Sequence, residues 1–238
     1  MPTSLVNSLT LLGTTIVLAA CSSAHAGNDA DNANRAGSTH AATVESSSNV
    51  PVAAAQTDSI TRAADLGRVQ GNASAAVWVV EISDMQCPYC KEWHANTYPK
   101  LYDEFIKTGK IRFAYINFPL SMHKNAAPAS RAAMCAGVQG KFWDMQDAIF
   151  ASQNKWEGLA DPTAYFEGLA KGTGINTESW KSCIESKSIQ SMIDADYARA
   201  KKQGVRSTPS FIVGGRLVEG AVPIEDMRKM INAALEKK

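Results

Sequence analysis

The chain has 238 residues with 24 basic and 23 acidic side chains, a formal net charge of +1. It contains no long basic run and no basic stripe with interleaved aromatics, so nucleic acid is not an expected partner and the charges read as a mixed, solvated surface. Nothing after residue 21 approaches the ~20 apolar residues that a membrane-spanning helix requires.

The N-terminus reads as an export signal. Leu9 to Ala20 is an apolar stretch of signal-core length, too short to span a bilayer, although positions 2–20 contain no Lys or Arg to form the usual basic start. Two processing patterns follow. Leu18-Ala19-Ala20-Cys21 resembles a bacterial lipobox, in which Cys21 becomes the lipidated first residue of an anchored protein. Ala24-His25-Ala26 has the small-x-small form of ordinary cleavage, which would release a soluble secreted form. The lipid-anchored form is the favoured expectation, with residues 1–20 as the signal and 21–60 as a flexible tether. From Ser22 to about Ser59 the only bulky aliphatics are three Val residues, a composition that cannot build a core. As a random coil this tether spans roughly 35 Å, enough to hold a domain off a membrane.

All eighteen aromatic residues fall at or after Trp78, which places the folded domain at 61–238. Ala75–Ile82 is a nearly continuous apolar run of strand length, followed by a turn into Cys87-Pro88-Tyr89-Cys90. Trp93, Tyr98, Leu101, Phe105 and Ile106 then keep helical spacing, with Pro99 expected to kink or break the helix and Gly109 to close it. Ile111–Phe118 reads as a second buried strand. A long block from about 124 to 203 has helical periodicity interrupted by Gly and Pro. Phe211–Val213, Gly214-Gly215 and Arg216–Glu219 form a hairpin signal, and Ile224, Met227, Ile231 and Leu235 give a closing amphipathic helix. The expectation is an α/β domain whose first two strands are parallel, joined by the kinked helix, with the helical block inserted before the hairpin.

Cys87 and Cys90 carry the chemistry. At the start of a helix the unpaired amides and the helix dipole favour a thiolate on the first sulfur, and Pro88 suits the first turn because its missing N–H forfeits nothing. Such a thiolate attacks a disulfide, and the second cysteine resolves the mixed disulfide. The same spacing serves half of a zinc site, but no second Cys-x-x-Cys or His-x-His pair exists to complete four ligands, so no metal or cofactor is expected.

Val79-Val80-Glu81-Ile82-Ser83-Asp84-Met85-Gln86-Cys87-Pro88-Tyr89-Cys90, together with Thr208-Pro209, resembles the DsbA-like branch of the thioredoxin superfamily. Gly71-Asn72-Ala73, Phe118-Pro119-Leu120 and Gly140-Lys141-Phe142-Trp143 extend the resemblance over about residues 66–236. It implies a thioredoxin fold with an inserted helical domain and a protein disulfide oxidoreductase working outside the cytoplasm. It also implies a cis bond at Pro209, in a loop that binds substrate together with Thr208, Pro88 and Tyr89. Glu81 takes the place of the family's buried acid and would shuttle protons; the alternative is a surface residue at a strand end. The Pro-Tyr pair departs from the Pro-His of the best-known strong oxidant. His94, on the same helical face as Cys87, is either a surface residue or a thiolate tuner.

Cys135 and Cys183 are expected to be bridged in an oxidising compartment, the alternative being two buried free thiols. The functional expectation is a dithiol oxidase acting on exported proteins and recharged by a membrane redox partner. A periplasmic reductase or isomerase would use the same residues, and a metal carrier binding through Cys87, Cys90 and Met85 is the remote alternative.

Overall fold

The computed structural model describes residues 52–238, with side chains from residue 59 onward. The signal segment, Cys21, the cleavage site after Ala26 and the tether up to residue 51 lie outside the described residues. A five-stranded sheet in the order β1-β3-β2-β4-β5 organises the domain: β1 is Val69–Gly71, β2 Val77–Ser83, β3 Ile111–Asn117, β4 Ser210–Val213 and β5 Arg216–Glu219. β2 and β3 are parallel, and the remaining pairs are antiparallel. The β2-to-β3 crossover is broken where the sequence places Pro99. Helix α2, Pro88–Asn96, ends before Thr97; α3, Tyr98–Leu101, restarts on the proline and runs into a π-helical turn, Tyr102–Ile106. Gly109 then takes a φ of 73°, a left-handed conformation that favours glycine.

Between β3 and β4 lie six helices: α4 (Ala126–Gly137), α5 (Phe142–Ala151), α6 (Gln153–Trp156), α7 (Thr163–Gly172), α8 (Thr177–Ile184) and α9 (Lys187–Lys202). This is the inserted helical domain, and the whole has the thioredoxin fold. Gly214 and Gly215, both at positive φ, close the β4–β5 hairpin as a two-residue turn. Helix α10, Ile224–Leu235, buries Ile224, Met227 and Ile231 against the sheet.

Two elements differ from the sequence reading. Helix α1, Val52–Gly67, includes residues 52–60, which composition assigns to the tether. It is Ala-rich and has no aromatic residue, and among its described side chains the fully buried Ala64 and the partly buried Ile60 join the core. β1 is only three residues long and adds an antiparallel edge to β3. Both are tied down by a buried ion network. The Arg68 guanidinium, between α1 and β1, pairs with Asp196 of α9 and donates to Asp65 through Nη2 at 2.5 Å. Asn117, at the end of β3, donates its side-chain amide to Asp196 at 2.9 Å.

The core falls into two main parts. One lies between the sheet and α2, α3 and α10, around Trp93, Phe113 and Phe211. The other fills the helical insertion around Phe142, Trp156 and Trp180, and it reaches Cys87 and Cys90. Cys135 of α4 and Cys183 of α8 are joined in a disulfide inside this second part. No helix among the described residues is long and apolar enough to cross a membrane.

Cross-linking residues 48 apart restricts the unfolded chain, which in a loop-entropy treatment is worth about 2–4 kcal/mol. The double variant Cys135→Ala/Cys183→Ala is expected to lose stability of that order in urea unfolding. A linked 135–183 peptide should appear in a non-reducing digest of the wild-type protein.

Candidate active site

Strand β2 ends at Ser83, and the three residues Asp84 to Gln86 turn the chain into Cys87, the N-cap of α2. Three sets of polar contacts fix this turn. Asp84, fully buried, accepts from the Gln86 N–H at 2.7 Å and the Leu120 N–H at 2.8 Å, and its Oδ2 lies 2.7 Å from His123 Nδ1. Gln86 Oε1 accepts from the Asn125 N–H at 2.7 Å. Gln153 of α6 donates to the carbonyls of Met85 and Cys87 at 3.0 and 3.2 Å. The insertion therefore holds the backbone that presents the first cysteine.

Cys87 and Cys90 carry free thiols, with Cys87 only 4% exposed and Cys90 fully buried one turn further in. The chain returns at a cis Thr208–Pro209 bond, and the Cys87 thiol donates to the Thr208 carbonyl at 3.5 Å. Pro88 and Tyr89 are exposed, Tyr89 by 64%, whereas Thr208 and Pro209 are buried against the site.

This arrangement separates the two sulfurs electrostatically. The Cys87 thiol is pulled down to about 6 by a hydrogen bond from the Cys90 thiol, opposed by burial and helped by the Thr208 side chain and the Cys90 and Tyr89 amides. The donors sit at a helix N-terminus, where amides point at negative charge. Cys90 moves the opposite way, well up, through burial first and then its bond and proximity to Cys87. At neutral pH the outer sulfur is a thiolate and the inner one a thiol.

Glu81 is fully buried on β2, and neither carboxylate oxygen has a hydrogen-bond partner. Burial pushes it up to about 7, with the charge of His94 and the nearby Ser83 hydroxyl acting in the opposite direction. It stands opposite Tyr115 of β3, itself fully buried. His94 is not a surface residue, and it is not among the main causes of the Cys87 shift. It is buried on α2, its Nε2 lies 2.7 Å from Asp147 Oδ1, and its influence falls on Glu81.

The disulfide between Cys135 and Cys183 removes them as ligands for a zinc ion at Cys87 and Cys90. Met85 is fully buried, so it offers no surface donor to a metal carrier. Asp84, Gln86, Asn125 and Gln153 were not singled out by the sequence. Asp84 and Gln86 at least sit in the turn beside Cys87, but nothing in the local pattern of Asn125 or Gln153 marks them.

The sequence model of the thioredoxin family matches residues 63–233. The probable disulfide bond formation protein D of Bacillus anthracis is 31% identical over 170 residues, covering 70% of this chain and 77% of that protein. Among solved structures, oxidised BdbD from Bacillus subtilis is similar with a TM-score of 0.64 at 26% identity, covering 72% of this chain and 94% of that one. The Wolbachia pipientis alpha-DsbA1 structure shares the fold with a TM-score of 0.64 at 22% identity, covering 71% and 91%. The chain belongs to the thioredoxin family and is a thiol–disulfide oxidoreductase.

The raised Glu81 has a stability consequence. In the unfolded chain it ionises near 4.5 and in the folded one near 7, so the folded state holds the proton more tightly. Its contribution is complete below pH 4.5 and is lost as pH rises through 7, a swing of about 3 kcal/mol. With Cys87 and Cys90 reduced, Glu81→Gln is expected to remove this loss. Its stability relative to wild type should rise between pH 4.5 and 8 in urea titrations at several pH values.

Proposed function

We propose that the protein is a dithiol oxidase of the cell envelope that introduces disulfides into exported proteins. In this reading a client thiolate attacks Cys87 of the Cys87–Cys90 disulfide, and Cys90 leaves and takes up a proton. A second client thiolate then attacks the client sulfur of the mixed disulfide, closing the client's own disulfide and releasing Cys87 as a thiolate. Glu81 supplies or accepts the Cys90 proton. Pro88, Tyr89, Thr208 and Pro209 form the surface on which the client chain lies. A membrane redox partner then re-oxidises the Cys pair, and Cys21, if lipidated, anchors the protein near that partner.

The single observation that supports the oxidising direction is the depressed Cys87 thiol. A stabilised thiolate favours the reduced form over the disulfide, and a protein that is more stable reduced gives up its disulfide readily. The names of the Bacillus relatives, disulfide bond formation proteins, point the same way. A reductase or isomerase is the second reading, since it would use the same residues at a lower potential.

Equilibration with glutathione decides between them. The oxidase reading expects a potential above about −240 mV, in the range between glutaredoxin-like and strongly oxidising proteins. A lower value would move the protein to the reductase class. Partition into detergent that is abolished by Cys21→Ala is the expected result for the lipid anchor.

A further inference from the structure

Successive residues of a strand point to opposite faces of a sheet, and an apolar face needs a covering layer. On one face Val79, Phe113 and Phe211 pack with Trp93 of α2, Leu101 of α3 and Met227 of α10. The opposite face is covered only in part. Pairing register lines up one residue from each of the five strands across it: Val69, Ala114, Val80, Ile212 and Leu217, all apolar. Helix α9 seals this face near the C-terminal ends of β2 and β3, where Ala200 packs with Ile82 and Phe118. Farther back the cover is missing. Val69, Val80 and Ile212 are half-buried, while Leu217 is 37% and Trp78 41% exposed.

Two adjoining grooves of about 890 and 600 Å3 open over this row and share Val80, Ile116 and Arg199 in their lining. Helix α9 walls both, and α1 walls the larger. Their charged lining is Arg62, Asp65, Arg68, Arg199 and Lys202. Asp65 is the single carboxylate among the described residues of this lining, and Arg68 binds it at 2.5 Å. Among the described residues Arg62 and Lys202 meet no carboxylate, and Arg199 is 64% exposed although it reaches Asp196. Arg112, paired in register with Trp78, lies over that ring with 4.5 Å to its centroid. An apolar floor under surplus cations suits a partner that is apolar on one side and acidic along its flanks. The row spans four strand spacings, about 19 Å, and an α-helix with its side chains is about 10–12 Å thick. The floor lies beneath the α9 wall, out of reach of a flat bilayer surface, whereas an amphipathic helix enters such a groove. Neither Cys87 nor Tyr89, Thr208 or Pro209 lines either groove, so an occupant leaves the redox site open.

We propose that this open sheet face docks an amphipathic α-helix of a partner protein. The apolar side of the helix lies on the row from Val69 to Leu217 and against Trp78, and carboxylates on its flanks meet Arg62, Arg199 and Lys202. The site is independent of the direction in which Cys87 and Cys90 exchange electrons, and it holds a partner while the cysteines remain accessible.

The probe is a labelled helical peptide about four turns long, with leucines along one side and glutamates on both flanks, titrated against the full chain by fluorescence anisotropy. Its counterpart carries lysine in place of each glutamate. The glutamate peptide is expected to bind at least roughly tenfold more tightly than the lysine peptide, with an advantage that shrinks as salt is raised. Trp78→Ser/Leu217→Ser, at two exposed positions, should weaken it at least roughly tenfold. Arg62→Glu/Lys202→Glu should turn the preference toward the lysine peptide. Both double variants should keep the wild-type rate of Cys87 alkylation, which reports an intact fold. Equal affinity for the two peptides, no binding at about 1 mM, or binding that both double variants leave unchanged overturns the proposal. So does any other occupant. A concentration-dependent dimer broken by Trp78→Ser/Leu217→Ser assigns the face to a second copy. Trp78 fluorescence shielded from acrylamide by phosphatidylglycerol vesicles, and not by the glutamate peptide, assigns it to lipid. Shielding in the chain alone at every concentration assigns it to another part of the chain. If Trp78→Ser/Leu217→Ser fails to fold, Arg62→Glu/Lys202→Glu decides alone, and an unchanged preference for the glutamate peptide overturns the proposal.

Discussion

One sulfur atom is held where three separate parts of the chain converge on it. The N-terminus of α2 offers its amides, Cys90 offers its thiol from one turn inside, and Thr208 brings its side chain from more than a hundred residues away in sequence. Each favours negative charge on Cys87, and together they overcome the opposing effect of burial. Burial first, and then the bond to Cys87 and the repulsion of a second negative sulfur, make Cys90 a poor thiolate. A single local arrangement thus divides the labour between an attacking and a resolving cysteine.

The inserted helices hold the sulfur in position as well as enlarging the core. Gln153 donates to two carbonyls of the turn that carries Cys87, and Asn125 binds the Gln86 side chain through its backbone N–H while its own amide donates to the carbonyl of Leu159 at 2.9 Å. These contacts satisfy backbone groups that a turn would otherwise leave exposed to competition from water. The disulfide between α4 and α8 secures the insertion in turn. Substitutions at Gln153 or Asn125 therefore act on the redox site through the geometry of the turn, without touching either sulfur.

Much of the domain was legible in the sequence because its signals are local. β2 and β3 are each buried at five of seven positions and read as apolar runs, and Pro99 and Gly109 mark the break and end of the crossover. Gly214-Gly215 can hardly be anything but a tight hairpin turn. The Cys-Pro-Tyr-Cys segment, with Thr208-Pro209 downstream, carried the family resemblance. What escaped was non-local. α1 contributes to the core through Ala64 and the partly buried Ile60, too little to mark a hydrophobic period, and its anchorage depends on Arg68 meeting Asp196 across 128 positions. β1 is too short to show alternation. Asn125 and Gln153 take their meaning from partners distant in sequence, as Asp84 does through Leu120 and His123. His94 was noticed for its spacing from Cys87, but its partner Asp147 lies on another helix, so its burial and its contact with that carboxylate could not be read from α2 alone.

The central claim is that the folded site keeps Cys87 ionised near neutrality. The rate of its alkylation by iodoacetamide in the reduced protein, followed against pH with modification mapped to Cys87, measures that directly. A midpoint near pH 6, with Cys90 unreactive over the same range, is the outcome this account requires. A midpoint close to the ~8.5 of an unperturbed thiol, or no alkylation of Cys87 at any pH, would contradict it.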